Sequence, residues 1–357
     1  MDIIANDEIK ADTTYKGKSC TTVTIGVIAY NEQQLLPALL DSFEKQTYPH
    51  ELIDIILVDG KSSDNTKVIM ENFANKGMTA FRSIRIYDNP KRIQAAGWNV
   101  VIRNYTTDVI IRIDAHAELR CDFVEQTMKC INSGEYVCGG ILETIEDGSS
   151  KWGLTLKKAE DSLFGASIGK YKRQTEASSY VDTVPFAAYR REVTDRVGLF
   201  NENLLRTEDN EYHYRIRKSG YRICCSSHIR SRYVMRSSLR KLNRQKYGNG
   251  EWIGRTLLLC PGCISWYHLV PGLFVTSMMV TTGTAIAGWK KPARLLWGSY
   301  SAVNILMNVT SGVDDATDLC LPLIFLSLHT AYGAGTLKGI TSEAVSSLRK
   351  KLSGSRK

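Results

Sequence analysis

The sequence predicts an α/β fold, a mostly parallel twisted sheet with helices on both faces, followed by an apolar helical module. Two observations lead to this prediction. Strand and helix patterns alternate from residue 22 to residue 142, and beyond residue 256 the chain holds three long segments without a charged side chain. A length of 357 residues has room for both parts.

The alternation begins with a β-branched run and repeats four times. Strands are predicted at 22–30, 52–59, 83–88, 108–114 and 136–142, and helices at 32–46, 66–76, 94–103 and 122–133. Consecutive βα units form parallel sheets, because each crossover helix returns the chain to the same edge. Ligands are then expected at the carboxyl ends of the strands.

The apolar part comprises residues 256–289, 295–313 and 319–337, each without Asp, Glu, Lys or Arg. Nineteen or more uncharged residues suit a hydrocarbon core of about 30 Å. A buried helical subdomain of a soluble protein is the alternative. We predict four parts: an N-terminal extension (1–21), an α/β domain (22–255), membrane-associated helices (256–340) and a basic cytosolic tail (341–357).

Charges between these segments predict an orientation. Lys290, Lys291 and Arg294 separate the first two segments, and an acidic loop of Asp314, Asp315 and Asp318 separates the last two. By the positive-inside rule, the 290–294 loop and the tail lie in the cytosol and the acidic loop lies outside. The first segment, broken by Pro271-Gly272, then forms a re-entrant or interfacial hairpin. We expect no signal peptide, and the nine cysteines indicate a reducing, cytosol-facing compartment. Together with the apolar segments this predicts a location at the inner or plasma membrane.

Acidic or amide side chains follow three of the strands, in the segments 29–32 (AYNE), 58–66 (VDGKSSDNT) and 112–118 (RIDAHAE). A single Asp after a strand is usually a turn former, but three at one sheet edge favour a ligand site. Neither GxGxxG after the first strand nor a P-loop is present, so a bound diphosphate needs a divalent cation. Asp114 and His116 alternate and face one side, which suits Mg²⁺ or, given the imidazole, Mn²⁺. The alternative for His116 is a solvated loop histidine.

A second acidic group lies at residues 207–211 (TEDNE). Thr207 is the predicted N-cap of a helix that runs to Ser219 and ends at Gly220. Glu208 and Asp209 then either complement the helix dipole or, for Asp209, provide a general base in the cleft. The sequence leaves these two interpretations equal.

Together these segments resemble the inverting glycosyltransferases of family 2, which have the GT-A fold. TIGVIAYNE, VDGKSSDNT, RIDAHAEL and TEDNEYHYRIRKSGYRI match its strand entry, its DGSSDGT element, its DxD metal motif and its ED element in the right order, over residues 22–255. VPFAAYRREV, YVMRSSLRKLNRQKYGNGEW and LHTAYGAGTLKG resemble the membrane-attached exopolysaccharide glucosyltransferases of the succinoglycan-biosynthesis type. His116 replaces the second Asp of DxD.

The resemblance implies roles for particular residues. The donor nucleotide would contact Ala29, Asn31, Glu32, Asp59, Asp64, Lys91, Arg92 and Asp114. Asp114 and His116 would hold the cation, and Asp209 would deprotonate the acceptor. Gln245 and Trp252 loosely match an acceptor-side motif, and Glu208 lies beside the base.

Residues 212–250 contain eleven Lys or Arg and no acid. This stretch, including Arg236, Arg240 and Arg244, would contact the inner leaflet and a lipid diphosphate. An ordinary solvated basic face is the alternative. The resemblance implies transfer of a hexose, by habit of the subgroup glucose, from a UDP-sugar to a lipid-linked or saccharide acceptor.

Three other functions compete. A processive polysaccharide synthase needs a many-helix channel, whereas this chain has a single accessory apolar module. A sugar-phosphate nucleotidyltransferase needs a glycine-rich basic loop after the first strand, where this chain reads AYNEQQ. A nucleic-acid-binding protein would use the tyrosines of the basic stretch, but no RNP, KH or helix-turn-helix pattern accompanies them. We therefore expect no nucleic-acid partner.

Overall fold

The structure is a computed structural model that describes residues 19–77, 80–145, 150–165, 177–234 and 238–354. Of the predicted N-terminal extension, only residues 19–21 fall within these ranges. The strands are β1 (Val23–Ala29), β2 (Ile53–Asp59), β3 (Ser83–Asp88), β4 (Val109–Asp114), β5 (Ala117–Leu119), β6 (Val137–Ile145), β7 (Ser178–Tyr180), β8 (Ala188–Arg190) and β9 (Cys224–Val234).

The helices follow the predicted order in the first half and then fill the C-terminal third. They are α1 (Leu36–Glu44), α2 (Thr66–Gly77), α3 (Gln94–Asn104), α4 (Phe123–Asn132), α5 (Lys151–Asp161), α6 (Arg191–Val197), α7 (Glu208–Lys218), α8 (Leu239–Leu259), α9 (Val270–Ile286), α10 (Lys291–Thr310) and α11 (Leu321–Gly354). The first helix begins four residues later than predicted, because Glu32 to Leu35 form a turn and Pro37 occupies the first turn of α1.

The first half of the sheet is parallel, as predicted. Its order is β3-β2-β1-β4, and the register pairs Ala29 with Asp59 and Ile28 with Asp114. The carboxyl ends of these strands therefore lie at one edge, with the loops after β1, β2 and β4 side by side.

The second half of the sheet is mixed. Strand β6 forms where a fifth strand was expected, but the short β8 lies between it and β4, antiparallel to both. Strand β9 then pairs in parallel with β6 and antiparallel with β5. Local periodicity predicts strands and not their neighbours, so the insertion of β8 was not foreseen.

Two layers of apolar side chains cover the sheet. One contains Leu36, Phe43 and Phe123 from α1 and α4, and the other contains Trp98 from α3 and Tyr212 from α7. Helices therefore pack on both faces, as the βα alternation predicts.

Glycines allow α8 and α11 to pack at backbone contact. A Cβ on Gly250 would lie 2.0 Å from the Tyr332 carbonyl oxygen, and one on Gly335 would lie 2.1 Å from that of Tyr247. The two helices run parallel, since Asn243 bonds Ser327 near one end and Arg255 faces Glu343 near the other. The glycine motifs that resemble the exopolysaccharide subgroup are thus an interhelical contact.

The predicted domain boundaries at 255/256 and 340/341 fall inside helices α8 and α11. A third core of Leu156, Leu242 and Phe325 joins α5 and α8 to α11. The α/β part and the apolar part therefore share a packed interface rather than a linker.

Two helical stretches are long and apolar enough to cross a membrane, Trp266–Ile286 and Ala316–Arg349, by length and composition only. The acidic loop before α11 is not remote from the α/β part, contrary to the predicted orientation. Asp315 and Asp318 form ion pairs of 2.5 and 2.6 Å with two lysines of α5, Lys151 and Lys158. A loop held by these ion pairs lies on the same side of any membrane as the α/β part. If the α/β part faces the cytosol, the predicted placement of the loop outside is therefore wrong.

Substituting Gly335 by alanine tests the α8–α11 contact. We expect Gly335→Ala to lower the free energy of unfolding by about 1–3 kcal/mol, because the methyl group meets a carbonyl oxygen. Gly298→Ala in α10 is the matched control, since its Cβ has no atom within 4 Å, and it should be neutral or stabilising. Thermal unfolding of both variants measures this, and equal melting temperatures would contradict the contact.

Candidate active site

A cavity of about 720 Å³ lies between the carboxyl edge of the sheet and the C-terminal helices. Asp114, His116, Glu208 and Asp209 line one end of it. Side chains of α8, α9, α10 and α11 line the other, among them Lys246, Phe274, Tyr300, His329 and Tyr332. Acidic groups far apart in sequence therefore share one cavity with the apolar helices.

Asp114 ends β4, and His116 lies between β4 and β5. The His116 Nδ1 is 3.6 Å from Oε1 of Glu32, on the loop after β1. Burial raises the pKa of Asp114, although His116 and Arg112 oppose this. Within the described ranges no three His, Cys, Asp or Glu side chains form a metal cluster.

Two protein ligands suit a divalent cation whose remaining positions are filled by a diphosphate and water. The Asp114 carboxylate and the His116 imidazole supply such a pair at the cavity wall. A Mg²⁺ or Mn²⁺ ion therefore fits the donor set of Asp114 and His116, and the Glu32 carboxylate lies beside the imidazole.

Glu208 and Asp209 begin α7, as the sequence predicts. The predicted cap differs: Thr207 has a left-handed backbone with φ of 66° and no side-chain cap hydrogen bond, and its hydroxyl instead contacts that of Thr256 at 2.7 Å. This contact turns the start of α7 toward α8. Burial, with the Asp209 charge, raises the pKa of Glu208 to about 8, so this carboxyl holds its proton at neutral pH while Asp209 lies beside it.

Buried hydrogen bonds fix the position of α7. His213, one turn beyond Asp209, lies between the Thr183 hydroxyl at 2.7 Å and the Tyr189 phenol at 2.9 Å. Burial holds the pKa of His213 well below its usual value, so the ring is neutral. Arg215 bonds the carbonyl oxygens of Val197 and Leu199 on the other side of α7.

Arg112 is a cavity residue that the sequence reasoning missed. It is 8% exposed, and its guanidinium lies 5.1 Å from the ring centroids of both Trp98 and Phe200. Its Nε and Nη1 have no hydrogen-bond acceptor among the described residues. Burial lowers its pKa, but the Tyr189 phenol and the Asp209 carboxylate outweigh this and raise it. The only signal in the sequence is an arginine two residues before Asp114, inside an apolar strand.

The predicted donor residues on the first two loops lie at the same sheet edge but outside this cavity lining. Asn31 accepts from the Ser63 backbone at 2.8 Å, and Asp59, buried at the end of β2, accepts from the Ser62 backbone at 3.2 Å. Asp64 accepts from Thr66, and such hydrogen bonds lower its pKa although desolvation opposes them. These side chains hold the two loops together.

The remaining donor-side predictions are distributed as follows. Ala29 is buried in β1, and Glu32 reaches toward His116. Lys91 forms an ion pair of 2.5 Å with Glu202, and Arg92 lies 5.7 Å from the Tyr30 ring. Glu32 is thus the link between these loops and the cavity.

The acceptor-side predictions are divided. Gln245 lines the cavity, whereas Arg240 and Arg244 are exposed on α8 and Trp252 packs under Arg255 outside the lining. Arg236 lies outside the described residues. The sequence reasoning missed Lys246, which lines the cavity in an ion pair of 2.7 Å with Glu160 of α5.

Comparisons with known proteins agree with this geometry. Residues 24–198 match the family described as glycosyl transferase family 2. A dolichyl N-acetyl-α-D-glucosaminyl phosphate 3-β-D-2,3-diacetamido-2,3-dideoxy-β-D-glucuronosyltransferase of Methanococcus voltae is 27% identical over 89% of this chain and 97% of its own. The succinoglycan biosynthesis protein ExoA of Rhizobium meliloti is 27% identical over 67% of this chain and 71% of its own.

Solved structures share the fold. The mannosyltransferase PcManGT from Pyrobaculum calidifontis, in complex with GDP-Man and Mn²⁺, superposes with a TM-score of 0.60 at 16% identity, over 89% of this chain and 88% of that one. S. aureus TarS residues 1–349 with UDP-GlcNAc give 0.50 at 14% identity, over 90% and 92%. The fold is therefore GT-A.

Residues 24–198 form a family 2 glycosyltransferase domain, and the chain is a glycosyltransferase of glycan biosynthesis. The predicted enzyme class and family are confirmed. The residue roles predicted within the site stay predictions.

Replacing Arg112 by methionine tests its role as a buried counter-charge. We expect Arg112→Met to lower the melting temperature, because the neighbouring Asp209 and Asp114 carboxylates lose a compensating positive charge, although an apolar chain still fills the space between the two rings. Glycosyl transfer should fall at least about tenfold, because the acidic cluster loses its fixed cation.

Arg191→Met is the matched control. Arg191 also stacks on an aromatic ring, 4.3 Å from the centroid of Tyr105, but it donates to the Thr107 carbonyl oxygen at 2.6 Å. Its loss should therefore lower stability by about 2–3 kcal/mol and leave turnover of the folded enzyme intact. A destabilised, fully active Arg112→Met variant would show that Arg112 is only structural.

Proposed function

We propose that the enzyme moves a hexose from a UDP-sugar to a lipid-linked saccharide acceptor by a single inverting displacement at the membrane. The observation that carries this proposal is the shared cavity. Asp114, His116 and Asp209 line it together with apolar side chains of α9, α10 and α11. Such a lining suits a water-soluble donor at one end and a membrane-held acceptor at the other.

Asp209 is the proposed general base. It lies in the first turn of α7 and lines the same cavity as Asp114 and His116. Its neighbour Glu208 is protonated at neutral pH and does not compete for the acceptor proton. In a single displacement the acceptor hydroxyl gives its proton to the Asp209 carboxylate while its oxygen attacks the anomeric carbon. The bond to the diphosphate breaks on the opposite face, so configuration inverts.

Asp114 and His116 are the proposed cation ligands, and the cation supplies Lewis-acid stabilisation of the departing diphosphate. Support comes from the donor set and from the complex of the P. calidifontis enzyme with GDP-Man and Mn²⁺. The donor nucleotide would lie over the loops after β1, β2 and β3, where Asn31, Asp59 and Asp64 order the backbone.

The acceptor would enter from the side of α8 and α9. Gln245 and the Lys246–Glu160 pair line that part of the cavity, and the exposed Arg240 and Arg244 begin α8. Relatives support a role at membranes, since the M. voltae enzyme acts on a dolichyl-linked sugar phosphate. We propose a location at the inner face of the plasma membrane with the α/β part in the cytosol.

Asparagine in place of Asp209 separates binding from turnover. We expect Asp209→Asn to bind UDP-sugar with unchanged affinity and to transfer sugar about 10²–10⁴ times more slowly, because the amide cannot take the proton. Asp41→Asn, on the exposed face of α1, is the control and should behave like the parent enzyme. Normal transfer by Asp209→Asn would remove this residue from the role of base.

Metal dependence is tested with a screen of UDP- and GDP-sugars in Mn²⁺, Mg²⁺ or chelator. We expect UDP-sugar hydrolysis that stops in chelator and recovers best in Mn²⁺, because the site includes an imidazole. His116→Asp should shift the preference toward Mg²⁺. Titration of Mn²⁺ into the UDP complex of this variant, which needs no turnover, should show a weaker affinity for Mn²⁺ than in the parent enzyme. Full activity in chelator would refute the cation site, and selective use of GDP-sugars would refute the donor class.

A further inference from the structure

Helices α9 and α10 form a hairpin, residues 270–310, that we call the apolar hairpin. Its sequence contains no acidic residue, and the only cations within and next to it are Lys290, Lys291 and Arg294 at the turn. Nine of its apolar side chains are more than half exposed: Leu273, Met279, Val280, Ile286, Trp289, Leu295, Ile305, Leu306 and Val309. An apolar face of this extent marks an interaction surface.

Both ends of the apolar hairpin lie beside the α/β part. Just before α9, Tyr267 and His268 line the cavity that contains Asp209. Just after α10, the acidic loop is bound to α5, where Lys158 lies 2.7 Å from Asp314 and 2.6 Å from Asp318. The chain therefore enters and leaves the hairpin on the side of the catalytic domain.

Helix α11 has the composition of a span but not the surroundings of one. Leu321, Ile324, Phe325 and Leu328 are buried against α5 and α8, and further along Lys338 pairs with Glu251 of α8 at 3.0 Å. Helix α8 carries six charged side chains among its 21 residues. A helix packed along a charged neighbour at backbone contact cannot enter hydrocarbon without taking those charges with it.

We propose that the apolar hairpin is a monotopic anchor, which lays its outer face into one leaflet of an anionic bilayer from the catalytic side, and that α11 does not cross the membrane. The hairpin turn supports this choice. Helix α9 has 17 residues and is about 26 Å long, so a hairpin through the bilayer would carry Lys290, Lys291 and Arg294 to the far side, against the positive-inside rule. Lying in the interface, the same three cations meet anionic headgroups.

The proposal rests on the membrane attachment proposed above and adds its geometry. Attachment and geometry are measured separately. Flotation of the full chain with vesicles tests attachment, and cysteine labelling in membranes tests which segments cross.

Flotation uses vesicles of phosphatidylcholine with about 30% phosphatidylglycerol. We expect the parent chain to float with them and Val280→Gln to weaken binding. Val68 of α2 is also more than half exposed, and Val68→Gln should have no effect. Replacing Lys290, Lys291 and Arg294 together by Gln should lower partitioning about 100-fold in these vesicles and little in pure phosphatidylcholine. A parent chain that does not float refutes attachment itself, and equal binding by Val280→Gln and Val68→Gln refutes the hairpin as the anchor.

Labelling uses a membrane-impermeant maleimide on vesicles from cells that make the full chain. Cys121 is exposed on the catalytic domain and reports which side faces the reagent. We expect Val313→Cys, before α11, and Ser347→Cys, near its end, to label in the same vesicles as Cys121. If either is protected until detergent is added, α11 crosses the bilayer and the proposal fails while attachment stands.

The hairpin turn is tested in the opposite orientation. In spheroplasts, where Cys121 is shielded, Trp289→Cys should stay unlabelled, because the turn never reaches the far side. Labelling there would show that α9 and α10 span the bilayer, and would overturn the monotopic geometry.

Discussion

Mutual repulsion of carboxylates in a partly buried cavity is the constraint on which the site depends. Asp114, Glu208 and Asp209 line the same cavity, where charges interact more strongly than in water. The structure relieves this repulsion in two ways. Glu208 keeps its proton, and Arg112 provides a fixed positive charge between two aromatic rings. A divalent cation at Asp114 and His116 would add further compensation when the donor diphosphate arrives.

The second constraint is the close packing of α8 on α11. Their glycines bring two backbones into contact, and this fixes the C-terminal helices against the catalytic domain. The same helices provide the far wall of the cavity through Lys246, His329 and Tyr332. The apolar part is therefore a component of the site, and we interpret it as the means by which a membrane-held acceptor is presented to Asp209.

Contacts with α5 determine the orientation of the apolar part. Hydropathy and loop charge predicted that the acidic loop lies on the far side of the membrane. In the structure, Asp315 and Asp318 of this loop pair with Lys151 and Lys158 of α5. Loop charge predicts topology when no other partner exists for the loop. Here a lysine pair some 160 residues earlier is that partner, and no local pattern reveals it.

The sequence by itself determined the βα order, the parallel half of the sheet, the acidic strand ends and the start of α7 at Glu208. These follow from hydrophobic periodicity and from residues that act within a few positions of one another. Only the tertiary structure decided that β8 separates β4 from β6, that Trp98 and Phe200 enclose Arg112, and that glycines of α8 meet α11. Each of these joins segments far apart in the chain, and such contacts are set by the packing of whole elements, which periodicity along the chain does not encode.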